Sequence, residues 1–281
     1  MQVAISQKHL KIILSLLLVC LVFNCQSQTV LFTQGFAHND YWHQRPLYDA
    51  LENGYSYVEA DIYLRNNKLV VTHILPFFKK KKTLEQLYFK PLLKITQGTN
   101  KEIRNLVSPI TLMIDIKSEA NETYFKLEQL LHKYASILSS YDNGKTTFRQ
   151  VTVIITGRKP HKLMKEQTSR LAFIDEDLLK IEQSIESSDV YQTASCKYAH
   201  LINWQGIGEI PLAEKEKLIK HVSYAHQNAK KVRLWASPEN TKVWAALIAC
   251  GVDLINTDQL VELRDFLLTQ QISYAKTEIN K

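Results

Sequence analysis

The sequence predicts an α/β protein folded as a single (β/α)8 barrel of the TIM type. Two observations carry that expectation. Short apolar, β-rich runs alternate along the chain with amphipathic stretches of helical period, which calls for a parallel sheet covered by helices. The residues able to do chemistry then fall at the ends of those runs, the place where such barrels gather functional groups on one face. The length of 281 residues suits one barrel, since α/β barrels of about 250 residues form a single unit.

In chain order the expected strands are 32–37, 57–62, 111–116, 151–155, 171–174, 200–203, 231–235 and 252–256. Helical patterns lie between them at 46–53, 122–139, 212–227, 242–249 and 260–268, with weaker ones at 101–107 and 176–187. Residues 69–72 form an extra extended run. Asn66-Asn67 just before it reads as a tight turn, so that run is expected to fold back as a hairpin partner of the second strand.

Residues 1–27 are set apart as an export signal, because Lys8 and Lys11 precede an apolar run over 12–23 too short to span a bilayer comfortably. Cleavage after Ser27 would release a soluble protein, whereas processing at Cys25 would leave a lipid anchor as in bacterial lipoproteins. The expected protein is therefore secreted, periplasmic or anchored at the cell envelope, with a barrel domain over 28–281. Removing Lys8 and Lys11 takes the formal charge from +7 to +5. That bias is modest, and a monomer without a nucleic-acid partner is expected. Cys196 and Cys250 remain after processing, too few and too far apart for a disulfide framework and lacking zinc spacing.

The most informative local feature is the pair Glu59 and Asp61 in Tyr57-Val58-Glu59-Ala60-Asp61-Ile62. Residues two apart in a strand share a face, so both acids aim at one spot. Two carboxylates on the inner face of a barrel repel each other and lose hydration unless a cation or base neutralises them. Other groups fall at neighbouring strand ends: His38 after the first run, His73 after the hairpin strand, Asp115 and Lys117 at the end of the third. No glycine-rich phosphate loop or serine-nucleophile motif is present.

The segments Ala37-His38-Asn39-Asp40, Arg45-Pro46-Leu47, Asp49-Ala50-Leu51, Val58-Glu59-Ala60-Asp61 and Val70-Val71-Thr72-His73 resemble the superfamily of glycerophosphodiester phosphodiesterases and phosphatidylinositol phospholipase C-like enzymes. The likeness is strongest over 36–92 and continues at Asp115 to Lys117, Arg233-Leu234-Trp235, Gly251-Val252-Asp253 and Asn256-Thr257-Asp258. It implies a metal-assisted phosphodiesterase on a TIM barrel. His38 and His73 become the acid/base pair, Glu59, Asp61 and Asp115 the metal ligands, Lys117 a phosphate contact, and Trp235 part of the pocket lining. Three carboxylates suit Ca2+ or Mg2+.

Departures from the family pattern fall at Asn39, where an arginine is usual, at Ile74, where an aspartate commonly follows the second histidine, and at Asp115, where many members carry glutamate. Asn39 is retained as a substrate-side residue. Arg45 is open to two readings, a phosphate fork or a salt bridge to the following helix. The basic run 79–82 could draw in anionic substrates or stand as a solvated loop. Asp258 is read as the cap of the final helix. The implied substrate is a small phosphodiester or phospholipid headgroup, with association at a membrane surface left open. Two alternatives stay beside this: a phospholipase D-like enzyme that cyclises a lipid phosphate, and a non-catalytic surface binding protein on the same barrel.

Overall fold

Strand β1 (Phe32–Ala37) leads through the short helix α1 (Tyr48–Glu52) into the long strand β2 (Tyr55–Arg65), which doubles back as β3 (Lys68–Val71). Helix α2 (Lys90–Thr96), β4 (Ile110–Ile116), α3 (Ala120–Lys133), β5 (Ser140–Asp142), β6 (Lys145–Thr147) and β7 (Val151–Gly157) follow. Next come α4 (His161–Glu166), β8 (Ser169–Arg170), β9 (Phe173–Asp177) and β10 (Tyr191–Lys197). The chain finishes with α5 (Leu212–Gln227), β11 (Lys231–Trp235), α6 (Thr241–Ala249), β12 (Leu254–Thr257) and α7 (Leu260–Ile279). This computed structural model describes residues 31–74, 82–103, 109–183, 187 and 189–279. The expected export signal at 1–27 with Cys25, the tract 79–81 and the helix beyond Ile103 lie outside the described residues.

The strands run in the order β1, β12, β11, β10, β9, β7, β4, β2, and β2 pairs back onto β1, so the sheet is a closed barrel of eight parallel strands. Closure leaves no open edge on the ring. The hairpin expectation holds: β3 runs antiparallel on β2, with Ile62 opposite Val71, and Asn66 and Asn67 both take positive φ (48° and 58°), as a two-residue primed turn requires. A small antiparallel sheet of β5, β6 and β8, unforeseen from the sequence, sits beside the barrel.

Alternation along each strand divides the side chains into two sets. Val58, Ala60 and Ile62 on β2, with Leu112, Ile114 and Ile116 on β4, belong to the fully buried cluster between sheet and helices. Phe36, Met113, Ile154, Phe173 and Leu254 form a second apolar cluster inside the ring. Above that plug, toward the carboxyl ends of the strands, the inward positions turn polar. The same phase that sinks Tyr57 and Met113 brings up Glu59, Asp61 and Asp115.

One strand differs from expectation. The apolar run 200–203 is the end of a 3-10 turn, Tyr198–His200, and its aftermath, while the strand lies earlier at Tyr191–Lys197. The physical reason is the barrel's interior. Thr193 and Ser195 both donate to the buried Asp175 carboxylate, as does Thr156 at 3.0 Å. A strand whose inner face serves a carboxylate carries little hydrophobic signal. The stretch 176–187 likewise splits: β9 claims it to Asp177, and a 3-10 turn covers Leu178–Gln183.

Candidate active site

Glu59 and Asp61 come from alternate positions of β2, and Asp61 stands in register with Asp115 on the neighbouring β4. One oxygen from each of the three carboxylates lies within 4.8 Å of the others. Glu59 is 3% exposed and Asp61 2%. Charges this close, this far from water, are mutually unfavourable by several kcal/mol at an effective dielectric of about 20.

Two cations, the half-buried Lys117 and the buried Arg233, offset part of that. Lys117 places Nζ 2.7 Å from Asp115 Oδ2 and 3.4 Å from Asp61 Oδ2, and Arg233 Nη1 donates to Glu59 Oε1 at 3.2 Å. The balance is incomplete. Burial pushes the Asp115 carboxyl up to about 6; Lys117 pulls it down, and Glu59 and Asp61 raise it further. Burial lowers the Lys117 ammonium's pKa, but the neighbouring carboxylates, Asp115 foremost, hold it above the ordinary lysine value.

Asp115 Oδ1 is buried with no hydrogen-bond partner among the described residues. Beside it Gly157 adopts φ +70°, and a Cβ at that position would lie 1.9 Å from the same oxygen. Glycine is therefore required twice at the end of β7, for its backbone conformation and for its lack of bulk. An orphaned carboxylate oxygen within an all-oxygen donor set fits a hard divalent cation.

The two histidines reach this cluster from different strand ends. His38 follows β1, which β12 holds through the bond from the His38 N–H to Thr257 O at 3.0 Å. Its Nδ1 lies 2.7 Å from Asp258 Oδ1 and its Nε2 3.3 Å from Glu59 Oε2. Burial depresses its basicity, yet the Asp258 hydrogen bond and the Glu59 charge outweigh that, so its pKa is raised. His73 sets Nδ1 2.8 Å from Asp61 Oδ2, and the Trp42 ring meets it edge-on at 5.6 Å between centroids. Each acid/base candidate is thus oriented by a carboxylate, a common arrangement for proton-transfer histidines.

The turn after β1 is built around polar contacts. Asn39 adopts a left-handed conformation (φ 46°), which asparagine tolerates. The Tyr41 hydroxyl lies 2.8 Å from Asn39 Oδ1 and 2.9 Å from Asp61 Oδ2, tying the turn to the acidic cluster. Asp40 is fully buried, accepting from the Leu47 N–H at 2.6 Å and the Tyr88 hydroxyl at 2.8 Å.

The structure brings together His38, Asn39, Glu59, Asp61, His73, Asp115 and Lys117. Trp235 ends β11 in phase with the inward Arg233, 38% exposed, with Lys197 Nζ 5.9 Å from its ring centroid. Arg45 is not part of the cluster. It pairs with Asp49 at 2.9 Å, with Glu102 at 3.2 Å and with Glu52, so its salt-bridge reading is the one realised.

Three residues given no such part from the sequence belong to the site: Asp258, Tyr41 and Arg233. The expected helix cap at Asp258 is corrected, since Glu239 accepts the N–H groups of Asp258 and Gln259 while Asp258 turns to His38. The motif Asn256-Thr257-Asp258 was the available signal, but its partner lies at the other end of the chain.

A family model described as the AIM6-like phosphodiesterase domain matches residues 26–175, more than half of the chain. The chain belongs to that family. The resemblance to the phosphodiesterase superfamily drawn from the motifs holds. Relatives include proteins named "Altered inheritance of mitochondria protein 6" from three yeasts. That of Eremothecium gossypii is 28% identical, covering 83% of this chain and 69% of its own length. That of Lachancea thermotolerans is 30% identical over 81% and 64%. That of Saccharomyces cerevisiae is 31% identical over 80% and 68%. The chain thus spans about two thirds of these relatives. Among solved structures, a glycerophosphodiester phosphodiesterase from Agrobacterium tumefaciens aligns over 83% of this chain and 100% of its own, at 9% identity and a TM-score of 0.44.

These relatives overturn one expectation. Proteins that align over about four fifths of the chain are named for the inheritance of an organelle rather than for any secreted or envelope role. The placement of the protein as exported, secreted, periplasmic or lipid-anchored at a cell envelope is accordingly withdrawn.

Proposed function

We propose that the protein is a phosphoric diester hydrolase that uses a divalent cation, Ca2+ or Mg2+, and acts on glycerophosphodiesters or related phospholipid headgroups. One observation carries the reading: the ligand oxygens of Glu59, Asp61 and Asp115 converge within 4.8 Å, and His38 and His73 each contact a different member of that trio. A cation held there would offset the negative charge that develops on phosphoryl oxygens.

The chain's own groups do the rest. Lys117, already beside Asp61 and Asp115, adds a second positive charge on the face where a phosphate would sit. His38 and His73 form the proton-transfer pair, one taking the proton of the attacking hydroxyl and the other giving one to the leaving oxygen. Asp258 fixes the ring of His38 through Nδ1, and Asp61 fixes that of His73 through Nδ1, with no partner for the Nε2 of His73 among the described residues, so that it can serve a substrate. Asn39 takes the position of the family's arginine and offers no guanidinium fork to the phosphate.

The test is a panel of glycerophosphodiesters and lysophospholipids assayed with calcium, with magnesium and with chelator, products being read by phosphorus resonance. Hydrolysis that chelator removes and one of the ions restores supports the reading. Phosphodiesters left intact under every condition would refute it, and a cyclic phosphate as final product would assign the cyclising reaction instead.

A further inference from the structure

The connections leaving the carboxyl ends of the strands hold large apolar side chains out in water. Ile207, between β10 and α5, is 85% exposed; Ile74, just after His73, is 62% exposed; Trp42, in the turn after β1, is 60% exposed. The Ile207 loop is built, not slack. The Trp204 indole donates to Ile207 O at 2.8 Å, Glu214 accepts the N–H groups of Asn203 and Trp204, and a Cβ at Gly206 would lie 2.7 Å from Asn240 Oδ1 on the adjacent loop. Ordering a loop costs conformational entropy, and displaying an isoleucine to water returns none of it. Burial of that side chain against a partner would.

The three tips flank the candidate active site. Trp42 and Ile74 stand on the His73 side, and Ile207 rises on the side of β10 and β11, where Trp235 ends its strand. The same mouth carries exposed cations, with the exposed Glu209 two residues from Ile207 as an opposing charge. Lys197, ending β10, and Arg158, just after β7, are exposed, and neither pairs with a carboxylate among the described residues. Apolar tips at a mouth where Lys197 and Arg158 outnumber Glu209 match the chemistry of a bilayer with anionic headgroups, taking up the tips among its acyl chains and the cations at its surface.

We propose that the carboxyl-end face of the barrel docks on an anionic lipid surface through Trp42, Ile74 and Ile207, with Lys197 and Arg158 reading the headgroup charge. The docking does not rest on the proposed catalysis. The test measures quenching of tryptophan emission in the full chain by phosphatidylcholine vesicles with brominated acyl chains, with and without phosphatidylserine. This reads insertion of the tips, whatever the segment 1–30 does, since that segment is common to every variant.

The parent protein is expected to be quenched, more strongly with phosphatidylserine, and Trp42→Phe to lose much of the quenching. Ile74→Ser with Ile207→Ser should demand about a hundredfold more lipid, about tenfold per isoleucine. Lys197→Gln with Arg158→Gln should abolish the phosphatidylserine preference. An unquenched parent protein, or an Ile74→Ser/Ile207→Ser variant quenched like the parent, would overturn the proposal. Self-association in sedimentation without quenching would overturn it too, by assigning the tips to a second copy. Equal quenching with and without phosphatidylserine would overturn the anionic preference.

Discussion

Replacing Asp115 with asparagine should stabilise the cation-free protein while removing its response to cations. The Asp115 carboxyl lies 17% exposed and is pushed from 3.8 up to about 6 by burial and by its acidic neighbours. A gap of about two units, at 1.36 kcal/mol per unit, makes the ionised carboxylate unfavourable in the fold by about 3 kcal/mol. The sign follows from linkage. The folded state binds this proton more tightly than the unfolded chain, so stability falls as pH rises from about 4 to about 6, and the whole penalty stands above that window.

Asparagine preserves the shape and removes the charge, but it weakens the bond to Lys117, a loss of about 1–2 kcal/mol. At neutral pH in chelator the variant should therefore exceed the parent by about 1–2 kcal/mol, or roughly 2–4 °C in Tm for a domain of this size. A divalent cation at a hundred times its Kd should add about 2.7 kcal/mol to the parent. It should add little to the variant, reversing the order. Urea unfolding at acid and neutral pH, with chelator and with cation, measures all four states. A variant less stable than the parent in chelator, or one that gains as much from the cation, would refute the electrostatic account of the cluster.

Other substitutions probe the rest of the site. His73→Ala and His38→Ala should each lower kcat on any phosphodiester the protein hydrolyses by about 10²–10⁴, with circular dichroism unchanged; turnover near the parent's in either variant removes that histidine from the chemistry. Gly157→Ala forces a Cβ onto Asp115 Oδ1 at positive φ, and should cost about 2–3 kcal/mol and weaken cation binding in calorimetry. Full cation affinity in that variant would mean that Asp115 is not a ligand. Arg233→Met leaves the Glu59 charge buried beside an apolar side chain, an expected loss of about 3–5 kcal/mol in urea unfolding. A loss under about 1 kcal/mol would show that Arg233 does not hold Glu59.

The strands at Phe32–Ala37 and Lys231–Trp235 were legible to the residue, the second because its outward Val232 and Leu234 are buried against the helix layer and keep a β-rich apolar pattern. Strand β10 was not, because Thr193 and Ser195 face a buried carboxylate and the nearby apolar residues Leu201 and Ile202 belong to a turn that packs on the core. Within the site, Glu59 and Asp61 could be paired by their spacing alone. Arg45 illustrates the converse: Asp49 and Glu52 stand one and two helical turns along, a local answer as near in sequence as any distant phosphate.

The chain's own pattern determined that there would be a barrel, that acids two apart would share its inner face, and that histidines would end neighbouring strands. Periodicity is local, so those features need no knowledge of the rest of the fold. Ring closure decided what no local pattern holds: β12 against β1 brings Asp258 to His38 across 220 positions, and Arg233 reaches Glu59 across 174. Which charges meet across a closed sheet depends on register and on the order of strands around the ring. Those are properties of the packed molecule, and they settle which residues flank the acidic cluster.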